Sequence, residues 1–110
     1  MRLFMLEALV KQQVTKESIL TNLQLKKILK DEGVVFAALF GSFVRGEEEE
    51  HSDIDLIVRF AEQKTLFQLI RMSQILSDLF GRKVDLLTES SVSPYIYKII
   101  EKEMETIYAA

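Results

Sequence analysis

Two aspartates set inside an apolar run, Ser52-Asp53-Ile54-Asp55-Leu56-Ile57-Val58, constrain this chain more than any other feature. The alternation predicts a strand over residues 53–60, with Ile54, Leu56 and Val58 holding one face to a core and Asp53 and Asp55 sharing the other. At ~3.3 Å of rise per residue, their attachment points lie about 7 Å apart. A carboxylate withdrawn from water without a partner is costly, and here two stand close together. A divalent cation is the strongest candidate to neutralise them.

The surrounding chain reads as scaffold for these acids. Residues 34–40 form a continuous, partly β-branched apolar run that fits a strand buried on both faces, and Gly41-Ser42 ends it. Residues 47–51 read as a solvated loop. A third acid, Asp85, lies in another apolar run, Lys83-Val84-Asp85-Leu86-Leu87, within a strand expected over 82–87. Thr65 and Gln68 form a capping box in front of Leu66, Leu69, Ile70, Leu76, Leu79 and Phe80, and Gly81 stops that helix. Ser93-Pro94 is an N-cap followed by proline at the first helical position, opening a helix through about Glu103. Residues 105–108 suit a fourth, edge strand. Before all of these, residues 16–32 predict a single helix stopped by Gly33, although Leu25 lies off the face set by Ile19 and Leu23. The order helix, strand, loop, strand, helix, strand, helix implies an α+β fold, a small mixed β-sheet packed with helices.

Composition narrows the partners. The 110 residues carry a net charge of −3, with only short basic groups such as Lys26-Lys27, so nucleic acid is not expected as the main ligand. With no cysteine, neither a disulfide frame nor a thiolate metal site is available, and a cytoplasmic setting is expected. Residues 1–10 are mostly apolar but too short to cross a membrane, which needs roughly 20 such residues. They are expected to form a short helix packed on the core, within an extension over residues 1–15 that precedes a domain over 16–110.

The motif carries its own chemistry. Carboxylates converging from a separation like that of Asp53 and Asp55 can hold two metal ions ~4 Å apart, as phosphoryl and nucleotidyl transfer require. All-oxygen ligation suits Mg²⁺ or Mn²⁺. Gly41 lets the backbone approach a bulky anion, Ser42 adds a hydroxyl beside backbone N–H groups, and Arg45 adds charge one helical turn on. That combination suits a nucleoside triphosphate. The lone histidine, His51, reads as a loop residue, and Tyr95, Tyr97 and Tyr108 read as packing residues.

Gly41-Ser42, ten intervening residues, and then Asp53-x-Asp55 resemble the motif of the polymerase-β nucleotidyltransferase superfamily. The run Leu39-Phe40-Gly41-Ser42-Phe43-Val44-Arg45-Gly46 with Ser52-Asp53-Ile54-Asp55-Leu56 is most similar to the minimal nucleotidyltransferases, including MntA-type antitoxins encoded beside HEPN toxins. The resemblance spans roughly residues 16–108 and implies a nucleotidyltransferase fold and adenylyl or other nucleotidyl transfer from a triphosphate, ATP above all. By that analogy Asp53 and Asp55 hold both metals. Asp85 shares one and helps position or deprotonate the attacking hydroxyl, Gly41 and Ser42 take the triphosphate, and pyrophosphate leaves. In the antitoxin group the acceptor is a tyrosine hydroxyl on the partner toxin. Position 43, where relatives often carry arginine, is Phe43. At this size a partner chain, a HEPN-type toxin or a second copy, is expected to complete the cleft. Two other readings stay open: transfer to a small-molecule hydroxyl, and a non-catalytic module that neutralises a partner by contact.

Overall fold

The computed structural model describes residues 14–110; the helix expected over residues 1–10 lies outside them. The strand centred on the apolar run, β1 (Val34–Phe40), pairs antiparallel with β2 (Ile54–Phe60) on one side and with the C-terminal β4 (Glu105–Ala109) on the other. The remaining strand, β3 (Val84–Thr88), runs parallel to β2, giving the mixed order β3-β2-β1-β4. This is the expected α+β architecture with its fourth strand at the edge. Strand β1 is covered on both faces as its composition requires: Ala37, Ala38 and Leu39 are fully buried.

One face of the sheet carries the larger core. Val34, Ala37, Leu39, Ile54, Leu56, Val58, Val84 and Ile107 meet helices α1 (Lys16–Leu20), α2 (Leu23–Asp31) and α4 (Leu66–Phe80), together with Phe43 of the four-residue α3 (Ser42–Arg45). The other face, with Ala38 and Ile57 at its centre, is closed by Ile100 of α5 (Pro94–Glu103), with Phe36, Phe40, Leu87 and Tyr97 around them. No helix among the described residues is long and apolar enough to cross a membrane.

The single helix expected over 16–32 is two. Thr15 and Ser18 make a reciprocal capping box at the start of α1. At its end the Thr21 hydroxyl donates to the Glu17 carbonyl at 2.7 Å. The Asn22 side chain accepts from the Leu25 N–H at 2.8 Å and opens α2. Short polar side chains here satisfy backbone groups that a continuous helix would have used, so the chain turns. The turn also explains the apolar pattern, because Ile19, Leu25 and Leu29 are buried from two differently directed helices while Leu23 is 80% exposed.

Helix α4 has the expected capping box of Thr65 and Gln68 and ends at Gly81 with φ +62°. Its burial is narrower than its pattern suggested: Met72, Leu76 and Phe80 are buried, whereas Leu66, Phe67 and Ile70 face solvent. Helix α5 begins at Ser93-Pro94 and ends at Glu103 as expected. Tyr97 and Tyr108 pack against the cores, but Tyr95, expected to pack, is exposed on the outer side of α5.

The turn between α1 and α2 predicts that Asn22→Ala destabilises the protein by about 1 kcal/mol. The urea unfolding midpoint measures it, and an unchanged midpoint would mean that the burial of Leu25 alone starts α2.

Candidate active site

Parallel pairing sets Asp55 of β2 directly beside Asp85 of β3, with Phe40 of β1 as its other neighbour. Asp53 stands one residue before β2 rather than within it, and β3 starts at Val84, two residues later than expected. Both strand starts are held by side chains that sequence reasoning missed. Arg82 Nη1 donates to the carbonyls of Glu49 and Ser52, each at 3.0 Å, and its guanidinium lies 5.2 Å from the centre of the Phe43 ring. Arg82 therefore ties the acidic loop, and with it Asp53, to α3. From α4, the Ser73 hydroxyl donates to the Val84 carbonyl at 2.6 Å, and the Ser77 hydroxyl accepts from the Val84 N–H at 2.9 Å. These two serines, four apart on one helix face, satisfy the backbone at the start of β3 and place Asp85 one residue on.

Gly41 lets the two halves of the motif meet. Its φ of +83° and ψ of −153° belong to a region essentially reserved for glycine. A Cβ there would collide with the Asp55 carboxylate, lying 3.1 Å from its Cγ. In this structure the group that lies against the Gly41 backbone is the Asp55 side chain.

The carboxylates are less withdrawn from water than expected. No charged residue among those described is buried, and the side chains of Asp53 and Asp85 are 38% and 43% exposed. Lys83 reaches between them, its Nζ 3.9 Å from Asp53 and 3.6 Å from Asp85. The desolvation cost falls instead on Asp55, which makes no ion pair among the described residues. Burial first, then repulsion from Asp85 and Asp53, pushes its carboxyl from the ordinary 3.8 to about 6. A divalent cation relieves this repulsion, and three carboxylates provide the all-oxygen donors that Mg²⁺ or Mn²⁺ favours. The residues thus fit a cation chemically, although no His, Cys, Asp or Glu trio among the described residues stands preassembled around one point.

Arg45 lies beside Gly41 as expected, but its charge is already engaged. Its Nε donates to Glu47 at 2.9 Å, and its Nη1 donates to both oxygens of Glu103 at 3.0 and 3.1 Å. Glu103 Oε1 also accepts the Gly41 N–H at 3.1 Å. Glu103 and Glu47 together raise the Arg45 pKa. No local signal marks Glu103, which sits 58 residues from its partner. Ser42, half-buried, opens α3, and His51 is an exposed loop residue as expected. Phe43 is buried in the core, so its ring rather than a cation fills that position.

Of these groups, Gly41, Arg45, Asp55, Asp85 and Glu103 line one cleft of about 490 Å³, and Asp53 and Ser42 do not. Asp55 and Asp85 are its acids, Gly41, Arg45 and Glu103 form a further polar group, and Leu86, Leu87, Ile96 and Ile100 are its apolar lining.

Acids on and beside two adjacent strands of a small mixed sheet thus stand next to a Gly-Ser turn. Residues 23–107 match the nucleotidyltransferase domain family, and the chain belongs to it, within the minimal, MntA-like nucleotidyltransferases. It is a nucleotidyltransferase. The Methanocaldococcus jannaschii protein MJ1217 is 46% identical over 81 residues, 72% of this chain and 83% of that protein. Protein adenylyltransferase MntA of Thermococcus cleftensis is 42% identical over 89 residues, 80% of this chain and 88% of that protein. In fold, the chain is similar to a solved structure of an MNT antitoxin in complex with a tri-AMPylated Shewanella oneidensis HEPN toxin. The TM-score is 0.68 at 19% identity, covering 87% of this chain and 74% of that one.

Because the folded-state value of Asp55 lies above 3.8, the folded protein binds this proton more tightly than the unfolded chain does. Its contribution favours folding at low pH and is lost as pH rises from 3.8 through about 6. Asp55→Asn should therefore stabilise the metal-free protein at neutral pH by about 1 kcal/mol after allowance for solvent screening, or about 4 °C in Tm. The gain should vanish below about pH 4, and Mg²⁺ should raise the neutral-pH Tm of the wild type but not of the variant. Thermal melts across pH, with and without Mg²⁺, measure both effects.

Proposed function

We propose that this nucleotidyltransferase moves an adenylyl group from ATP to a hydroxyl on a partner protein of the HEPN toxin type, and so acts as an antitoxin in the cytoplasm. The observation that carries the reading is the Asp55–Asp85 pair, side by side on β2 and β3 and facing the turn at Gly41. The Thermococcus cleftensis relative, named a protein adenylyltransferase, and the AMPylated toxin held by an MNT antitoxin support the donor and acceptor classes.

In this reading residues 16–110 form the catalytic domain, and residues 1–15 are an extension to it. Asp53, Asp55 and Asp85 hold Mg²⁺, with Mn²⁺ able to replace it. When bound, such ions supply charge neutralisation at the reacting phosphate and at the attacking and leaving oxygens. Gly41, Ser42 and Arg45 receive the triphosphate. Asp85, whose side chain is 43% exposed, orients the acceptor hydroxyl and takes its proton as the oxygen bonds to the α-phosphorus. The bond from that phosphorus to the bridging oxygen breaks, and pyrophosphate leaves with the electron pair. A partner supplies the acceptor and the wall around it. Ile96 at the cleft and Tyr95 and Ile99 beside it on α5 are exposed by 44%, 74% and 51%, an apolar strip suited to that contact.

The test is transfer of label from α-labelled ATP to the protein encoded next to this one, with Mg²⁺. Asp53→Ala, Asp55→Ala or chelation should lower transfer more than about a hundredfold. Complex formation without any labelling would favour neutralisation by contact alone, and labelling of a small molecule instead would move the acceptor to that class. Ile99→Glu should weaken complex formation about tenfold, as expected for losing one interface anchor, while leaving Tm within about 2 °C. Co-purification and a melting curve read the two arms.

A further inference from the structure

Beside Gly41 and Arg45 the cleft already holds an anion, the carboxylate of Glu103. Glu103 accepts three hydrogen bonds, one from the Gly41 N–H and two from Arg45, all between 3.0 and 3.1 Å. Its position is unfavourable in other respects. It is the last residue of α5, where the helix macrodipole disfavours negative charge. It also adds to the repulsion on Asp55. A glutamate at a helix C-terminus, near enough to Asp55 to repel it, is held there by Arg45 and Gly41. Its side chain is only 25% exposed, so the contact is partly shielded from solvent. A planar carboxylate on a guanidinium and a backbone N–H makes the contacts that two phosphate oxygens would make.

We propose that Glu103 is a positioning residue that occupies the phosphate seat of Gly41 and Arg45 until a polyphosphate displaces it, and thereby sets nucleotide affinity. The inference rests on the reading that Gly41 and Arg45 receive the triphosphate. While Glu103 is seated, Arg45 and the Gly41 N–H are held in place but occupied. A ligand binds only the fraction of molecules in which the seat is open, and its apparent affinity falls by that fraction. A highly charged tail displaces the carboxylate, and a weakly charged ligand does not.

The experiment is calorimetric titration of the full chain with inorganic tripolyphosphate and with AMP-PNP, comparing wild type, Glu103→Gln and Glu103→Gln/Arg45→Ala. Glu103→Gln keeps the size of the side chain and removes its charge. It should tighten both ligands about tenfold, the effect of freeing a seat that is open about one-tenth of the time. Adding Arg45→Ala should erase the gain, and Glu103→Asp should fall between wild type and glutamine. Equal binding by wild type and Glu103→Gln, weaker binding by Glu103→Gln, or no tripolyphosphate binding by either would each overturn the proposal. A measurement on the unaltered protein guards against misfolding of the variants. Tripolyphosphate should shift the Gly41 amide, Arg45 Nε and Glu103 carboxylate resonances together, and a Glu103 signal that stays still would also overturn it. Label transfer from ATP by the wild type separates the two readings. Transfer with no gain from Glu103→Gln removes only this inference, whereas a gain in tripolyphosphate affinity without transfer leaves the seat standing and removes the proposed reaction.

Discussion

Everything at the site depends on a parallel register that sets two like charges on adjacent strands. Asp55 lies opposite Asp85, and no lysine or arginine among the described residues pairs with Asp55. At the ~4.8 Å strand spacing and an effective dielectric near 20, such a pair repels by about 3 kcal/mol. The register holds because the opposite faces of the same strands are apolar and completely covered. Ile54, Leu56, Val58 and Val84 have no measurable exposure, and burial of each is worth about 2 kcal/mol. A slip of one residue would turn that set to the other side of the sheet, so hydrophobic burial fixes the acids where electrostatics alone would separate them.

A second tier of polar contacts converts this register into a defined site. The four-stranded core would tolerate some freedom at the ends of β2 and β3, but Arg82, Ser73 and Ser77 bind the backbone there directly. Lys83 then bridges the two more exposed acids. Asp53 and Asp85 are thus partly neutralised within the chain, and Asp55 is left as the carboxylate with most to gain from a cation. Gly41 completes the arrangement by leaving room for Asp55 where any side chain would intrude.

What the sequence made legible follows the range of the forces involved. The strand of Asp53 and Asp55, the capping box at Thr65 and Gln68 and the Ser93-Pro94 start are written in residues no more than a few positions apart, and each appears in the structure close to its expected place. The break at Thr21-Asn22 was equally local but was outweighed by the apolar content of residues 16–32, because capping side chains and helical periodicity compete on the same stretch. The exposure of the acids was not legible, since it depends on how far α5 extends over the second face. Glu103, Lys83, Arg82 and the two serines act across gaps in which neither partner is unusual by itself. Their roles arise only when the sheet order β3-β2-β1-β4 brings those segments together.

Helix α5 links these levels. Ile100 closes the second face over Ala38 and Ile57, Ile96 lines the cleft, Glu103 sits in the anion seat, and Tyr95 and Ile99 remain exposed on the outside. A ten-residue helix is about 15 Å long and moves as one body. Its inner side is anchored by Tyr97 and Ile100, and its C-terminal end is held both by the pairing of Glu103 with Arg45 and by β4, which begins at Glu105 against β1. On the proposed reading, a polyphosphate that displaces Glu103 would remove one of these holds, and a partner lying on Tyr95 and Ile99 would bear on the same element. On the proposed reading, donor and acceptor would meet at one helix, which would couple their arrival.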